Sequence, residues 1–253
     1  MKANTHEALV GKQFGDRAQA YLQSSVHAQG KDLERLASWL SEKPDAALLD
    51  VGCGAGHASF VAATQVAQVT AYDLSEKMLA VVQQAAHARG FNNIDTCQGQ
   101  AETLPFPPAS FDVVISRYSA HHWHDVGKAL REVKRVLKPG GVFILMDIAS
   151  TGQPVRDVLL QTMEMLRDPS HVHNYSQGEW LRMVNDSGMT VREMVADRLA
   201  LAFTLWVERM QTPQPFIEAI RLLQQTVSDE VRDYFAIQAD GSFTTDTIMF
   251  RAQ

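Results

Sequence analysis

The run Asp50-Val51-Gly52-Cys53-Gly54-Ala55-Gly56 carries the strongest chemical signal in the chain. Glycines at this spacing allow a tight turn and let a ligand approach the backbone closely. Asp73 closes the next apolar run, Val69-Thr70-Ala71-Tyr72. A carboxylate there, beside the first loop of a doubly wound sheet, can accept both hydroxyls of an adenosine ribose. A dinucleotide fingerprint would read GxGxxG, but His57 stands where its third glycine is due. Asp50 would repel a pyrophosphate and suits a cation or an amino group. These residues favour a neutral or zwitterionic adenosine ligand. An NAD-dependent oxidoreductase is the weaker rival.

A second constellation is Ser116-Arg117-Tyr118-Ser119-Ala120-His121-His122-Trp123-His124-Asp125. It follows a strongly apolar run, and loops at the carboxyl ends of parallel strands face the ligand crevice. Its histidines admit three readings. They pack the ligand; or His121 or His122 is a general base, since imidazole titrates near neutral pH; or they hold a metal with His171 or His173. Adjacent ligands on one loop define no metal geometry, so no metal is expected. Ser116 and Arg117 are assigned to the cofactor side, Tyr118 and His173 to the substrate. Trp123 is expected as a cover or a core residue. Arg209 and Arg221 could hold a substrate carboxylate or phosphate bidentately, with Arg209 the stronger candidate; surface ion pairs are the commoner use. Cys53 has no sequence-adjacent base to activate it and reads as a small loop residue. Cys97 reads as strand packing.

These groups need a rigid scaffold, and the pattern supplies one. Within 46–150, ALLDVG, VTAYD, NNIDTCQG, FDVVIS and VFILMDI read as strands. HASFVAATQVAQ, SEKMLAVVQQAAHARG and DVGKALREVKRVLK read as the helices between them, with Ser75 as an N-cap and Gly90 past the second helix. Such alternation predicts a doubly wound α/β sheet. The 253 residues exceed that core. They divide as one domain over 1–253: a helical N-terminal segment 1–45, the core 46–150, a helical insertion with a sixth strand over 151–240, and a last strand over 241–253.

The composition bounds the partners. The chain is 45% hydrophobic and 21% charged, as expected for a globule with a sizeable core. A net charge of −6 argues against nucleic acid or anionic membrane as a partner. No apolar run is long enough to span a bilayer. Met1–Lys12 lacks the apolar stretch of a secretory signal. Two cysteines without a CxxC pair fit a reducing compartment, so the cytoplasm is expected.

DVGCGAGHAS, AYDLSEKML, GQAETLPFPPASFDVVIS and REVKRVLKPGG resemble successive motifs of class I S-adenosylmethionine-dependent methyltransferases. The branch they resemble surrounds the ubiquinone/menaquinone C-methyltransferases. The resemblance is strong over about residues 10–150 and weak beyond. It implies a Rossmann-like seven-stranded sheet, mostly parallel, with an antiparallel last strand and a helical N-terminal lid. It places Asp50, Gly52, Gly54 and Gly56 at the methionine end of S-adenosyl-L-methionine, with Cys53 between them. It places Asp73 on the ribose, and Leu74 and Met78 beside the adenine. Gln100, Ala101 and Glu102 would meet the adenine edge; the family often has an acid where this chain has Gln100. Tyr21 and His27 are the lid candidates. The implied function is methyl transfer to a small, partly hydrophobic molecule, with carbon or oxygen favoured, in a monomer or homodimer. Aromatic and apolar residues of 151–240 would supply the acceptor pocket. The alternative is a non-catalytic protein that binds S-adenosylmethionine or S-adenosylhomocysteine.

Overall fold

The apolar runs after Ala46 form strands because their side chains are covered on both faces, the usual environment of a parallel sheet. In the computed structural model, which describes residues 5–15, 22 and 30–253, five strands pair in parallel. They are β1 (Ala47–Val51), β2 (Gln68–Asp73), β3 (Ile94–Gln98), β4 (Phe111–Arg117) and β5 (Leu137–Ala149). With β6 (Val191–Leu201) and β7 (Phe243–Ala252) they make a seven-stranded sheet in the order β3-β2-β1-β4-β5-β7-β6. β7 lies between β5 and β6 and is antiparallel to both. The expected sheet is therefore present, with its last strand reversed.

Alternate strand residues serve opposite layers. Leu49, Val51, Val114, Phe143 and Leu145 pack with α5 (Val126–Val136) and α7 (Gln177–Asp186). Leu48, Val113, Ile115, Ile144 and Met146 pack with α2 (Lys31–Leu40) and α3 (His57–Ala63). α4 (Glu76–Ala88) joins that second layer through Leu79 and Val82 against Phe60 and Ala71. The Ser75 hydroxyl accepts from Met78 N and caps α4, and Gly90 adopts φ +76° just beyond it.

Two boundaries differ from the pattern. α3 stops at Ala63, although apolar residues continue to Val69. The Asn93 amide donates to the carbonyls of Ala63 and Val66 (3.0 and 3.1 Å), satisfying the helix end before β2 begins. β5 begins at Leu137 rather than Val142: Leu137 pairs with Phe111 ahead of an irregularity in the β4–β5 register.

The segment between β5 and β7 builds a core of its own. α6 (Pro154–Arg167) and α7 precede β6; α8 (Phe203–Met210), α9 (Gln214–Thr226) and α10 (Asp229–Tyr234) follow it. Leu159, Met163, Phe203, Trp206 and Phe235 are buried together there. Between α6 and α7 the chain returns over the end of β5, where Ser150 N donates to Tyr175 O at 3.2 Å. The Tyr175, Trp180 and Phe250 rings meet in sequence, edge-on at 5.2 Å and tilted at 5.8 Å, and anchor that return. α1 (His6–Gly15) lies against α4. No helix among the described residues is long and apolar enough to cross a membrane.

Trp180 is 1% exposed, whereas its neighbour Leu181 is 46% exposed. Trp180→Ala should therefore cost about 3–5 kcal/mol in urea unfolding. Leu181→Ala should stay within about 0.5 kcal/mol. Equal losses at the two positions would contradict the anchoring role of these rings.

Candidate active site

Strand order reverses around β1, which has β2 on one side and β4 on the other. Ligands of open α/β sheets sit in the crevice this leaves beyond the carboxyl ends. A pocket opens there, walled by the loops after β1, β2, β3 and β4 and covered by α1. Asp73 ties these loops together. Its Oδ2 accepts from Gly54 N at 2.9 Å, its Oδ1 from Ser75 N at 2.8 Å, and its carbonyl from Gly99 N at 3.1 Å. Burial raises its carboxyl above the usual range, while the bonds from Ser75 and Gly54 oppose the shift.

The glycine loop is shaped by what it touches. A Cβ on Gly52 would come within 1.9 Å of Ser119 Oγ, so this position packs β1 against the β4 loop. Gly54 has φ +52° and open space where a Cβ would stand, so its surface faces the pocket. Asp50 is fully buried at the base of the loop. Its Oδ2 accepts from Ser59 Oγ at 2.6 Å, while Oδ1 is buried with no hydrogen bond among the described residues. Burial pushes this carboxyl up to about 7, against the pull of the Ser59 hydroxyl. An unpaired buried acceptor on a pocket wall suits a ligand that brings a donor or positive charge.

The expected residues divide into three groups. Asp50, Gly52, Cys53, Gly54, Asp73, Leu74 and Met78 line the pocket, as do Gln100, Ala101 and Glu102. Arg117, Tyr118 and His122 line it too. Gly56 stands behind the wall: a Cβ there would meet Phe60 and Val82 at 3.0 Å, and its φ of +86° starts α3. Ser116 is fully buried one residue inside β4. His121 turns away from the pocket toward Asp147, with Nδ1 2.5 Å from Oδ1. His173 stands beside Tyr175 and lies 3.6 Å from Glu179, and Arg209 belongs to α8; neither lines the pocket. Tyr21 and His27 lie outside the described residues.

No residue of 151–240 lines the pocket, which departs from the expectation that this insertion walls the acceptor. Leu159, Met163, Phe203, Trp206 and Phe235 are used in its own core, Tyr175 and Trp180 pack on the sheet core, and Phe216 is exposed. The apolar wall comes instead from Val10 and Phe14 of α1, with Tyr118 and Trp123. Phe14 lies in the same N-terminal segment that pointed to Tyr21 and is the aromatic that α1 brings to the pocket. His6 Nε2 lies 2.8 Å from the carbonyl of His122, and Phe14 meets the His122 ring edge-on at 4.9 Å. Trp123 is both core and wall; its Nε1 donates to Ser119 Oγ at 3.2 Å.

Three side chains are fixed by charge or backbone. Arg117 Nε donates to Asp32 Oδ2 at 2.5 Å, and its guanidinium covers the Tyr118 ring at 4.8 Å. Tyr118 has φ +51°, sparsely populated for a non-glycine residue, and its N–H donates to Met146 O at 2.8 Å. Buried His122 has Nδ1 3.0 Å from Ser170 O and Nε2 3.9 Å from Asp168 Oδ2. Burial and the neighbouring His121 hold His122 down to about 4. Among the described residues, no three His, Cys, Asp or Glu side chains converge as metal ligands.

The chain is similar to known proteins in sequence and in fold. A family model described as a methyltransferase domain matches residues 49–145. An uncharacterized Escherichia coli protein, YafE, is 58% identical over 201 residues, covering 79% of this chain and 97% of its own. YcgJ of Bacillus subtilis, named an uncharacterized methyltransferase, is 36% identical over 224 residues, 88% of each chain. Its crystal structure superposes with a TM-score of 0.84 at 34% identity, over 87% of this chain and 97% of that one. The ubiquinone/menaquinone biosynthesis C-methyltransferase UbiE of Brucella anthropi is 34% identical over 163 residues, 60% of this chain and 61% of its own.

The buried Asp50 makes one contribution to the pH dependence of folding stability. Its folded carboxyl titrates near 7 against an ordinary 3.8, so the folded state holds the extra proton between those values. Stability from this group is therefore lost as pH rises from about 4 to about 7. Asp50→Asn should raise the melting temperature at pH 8, by the equivalent of about 1–4 kcal/mol, and much less at pH 4. Calorimetric scans at both pH values measure it; an equal gain at both would show that the carboxylate charge is not the cause.

Proposed function

The chain belongs to the methyltransferases, and from that premise we propose that it transfers the methyl group of S-adenosylmethionine to a small, partly hydrophobic molecule at carbon or oxygen. The observation that carries this reading is the pocket itself. Its lining combines an unpaired buried Asp50 oxygen, an open Gly54 surface and an aromatic wall with His122.

The residues fit the cofactor by type and position. Asp50 Oδ1 suits the amino group of its methionine part, and the surface of Gly54 suits close approach to that part. Each Asp73 oxygen accepts one backbone N–H and keeps a lone pair for a ribose hydroxyl. Leu74, Met78, Gln100 and Ala101 suit an adenine. Arg117 holds Tyr118 in place, its own charge countered by Asp32. S-adenosylmethionine, when bound, supplies a methyl group already activated by a positive sulfur.

The chain's remaining task is to hold an acceptor in line, exclude water and, where needed, take a proton. Val10, Phe14, Tyr118 and Trp123 favour a partly apolar acceptor. α1 covers the opening and limits entry of water. His122, which lines the pocket, is the proton acceptor in this reading. Its Nδ1–H donates to Ser170 O, so the lone pair sits on Nε2, and its lowered affinity for protons keeps the ring neutral at pH 7.

Calorimetry with S-adenosylmethionine and S-adenosylhomocysteine, with NAD as control, tests the cofactor reading. Micromolar binding to the sulfur ligands is expected, weakened about tenfold or more by Asp73→Ala. Absence of binding to either would overturn it. A metabolite screen with labelled cofactor then tests the acceptor, with phenols, enols and carboxylic acids spanning oxygen and carbon nucleophiles. On a substrate found this way, His122→Gln should cut turnover about 10²–10⁴-fold while changing cofactor affinity little. Unchanged turnover would remove His122 as the base.

A further inference from the structure

His121 is one residue from the pocket wall, yet its imidazole points into the protein. Nδ1 lies 2.5 Å from Asp147 Oδ1 near the end of β5. Asp147 is 1% exposed; Ile148 N also donates to its Oδ1, at 2.8 Å, and its Oδ2 is buried with no hydrogen bond among the described residues. The His121 ring stands 4.2 Å from the His122 ring and 5.8 Å from that of His171. Its carbonyl accepts from Val172 N and His173 N, at 2.9 and 3.2 Å. Residue 121 thus joins β5, the 168–176 return and the histidine on the pocket wall.

We propose that Asp147 is a positioning residue for methyl transfer: by pairing with His121 beside the pocket wall, it keeps the neighbouring His122 ring, whose tautomer Ser170 sets, in its neutral form. The proposal rests on the reading that His122 takes the acceptor's proton. A carboxylate this close makes an ion pair with a protonated imidazole, and a buried pair of this kind holds because removing either partner strands the other. Burial pulls the His121 ring down, but the Asp147 charge and hydrogen bond outweigh it and raise the ring above its ordinary value. A positive ring 4.2 Å away opposes a second charge on His122.

The surrounding charges act in the same frame. His121 faces Asp147 from β5, Glu164 from α6, and Asp168 and His171 from the return. His122 faces Asp168, the Ser170 carbonyl, the Phe14 ring and His121. Ser170 is held in turn, because its N–H and hydroxyl both donate to Asp168 Oδ1, at 2.9 and 2.6 Å. The insertion therefore reaches the chemistry indirectly, through the two groups that orient His122.

Ring-nitrogen NMR on the full chain labelled with 15N-histidine tests this without an acceptor. Among the nine histidines, the His121 and His122 signals are assigned with His121→Gln and His122→Gln. At pH 7, His121 should carry protons on both nitrogens and His122 only on Nδ1. In Asp147→Asn, His121 should lose its charge at pH 7, and the His122 midpoint should rise by about one pH unit. His121→Gln should raise that midpoint too, which keeps the test open if Asp147→Asn fails to fold. A neutral His121 in the wild-type protein at pH 7 overturns the proposal, as does an unmoved His122 midpoint in a folded variant. Failure of the base reading is distinct: His122→Gln would then keep its turnover while the wild-type ring states stayed as described.

Discussion

The site depends on one desolvated carboxylate. Asp73 is drawn out of water where strand order reverses, and burial penalises its charge. Backbone N–H groups of Gly54 and Ser75 compensate it, and in doing so they set the distance between the β1 loop and the start of α4. Its own carbonyl receives Gly99 N, which adds the β3 loop to the same knot. Tyr72 strengthens that connection by donating from its hydroxyl to Gln100 O at 2.9 Å. The fourth loop is registered sterically, since only a glycine at position 52 leaves room for Ser119.

Electrostatics then favour a ligand with positive charge. Glu7, Asp50, Asp73 and Glu102 line the pocket, while Arg117, the only Lys or Arg among its described walls, is countered by Asp32. Asp50 is the most exacting of the acids because one oxygen has no bond. Such a group destabilises the empty protein when ionised and gains most when a cation or amino group arrives. Stability of the empty fold and affinity for ligand thus oppose each other at one residue.

The segment after β5 contributes differently from the wall residues. Its buried apolar side chains close a core around α6 and α8 or pack on the sheet, and none of them lines the pocket. What it sends toward the site is polar: Asp168, Ser170 and His171 behind the two histidines. Residues in this return act by orienting a ring rather than by touching the pocket.

Periodicity and turn residues by themselves determined the order of strands and helices, the Ser75 cap, the glycine loop and the acid at the end of β2. These are local properties: burial of alternating side chains and glycine conformation depend on neighbours a few residues away. The motif resemblance also carried the family. Only the tertiary structure decided which members of each local cluster face the pocket. His121 and His122 are equivalent as residue types, but β5 offers Asp147 to one and the 168–176 return offers Ser170 to the other. Gly54 and Gly56 both take positive φ, but Phe60 and Val82 occupy the space beside Gly56 alone. Arg117 is countered by a residue 85 positions away, and the insertion's aromatics turn inward because helices from both sides of β6 meet. Each choice is made by contacts between segments distant in sequence, which local patterning does not encode.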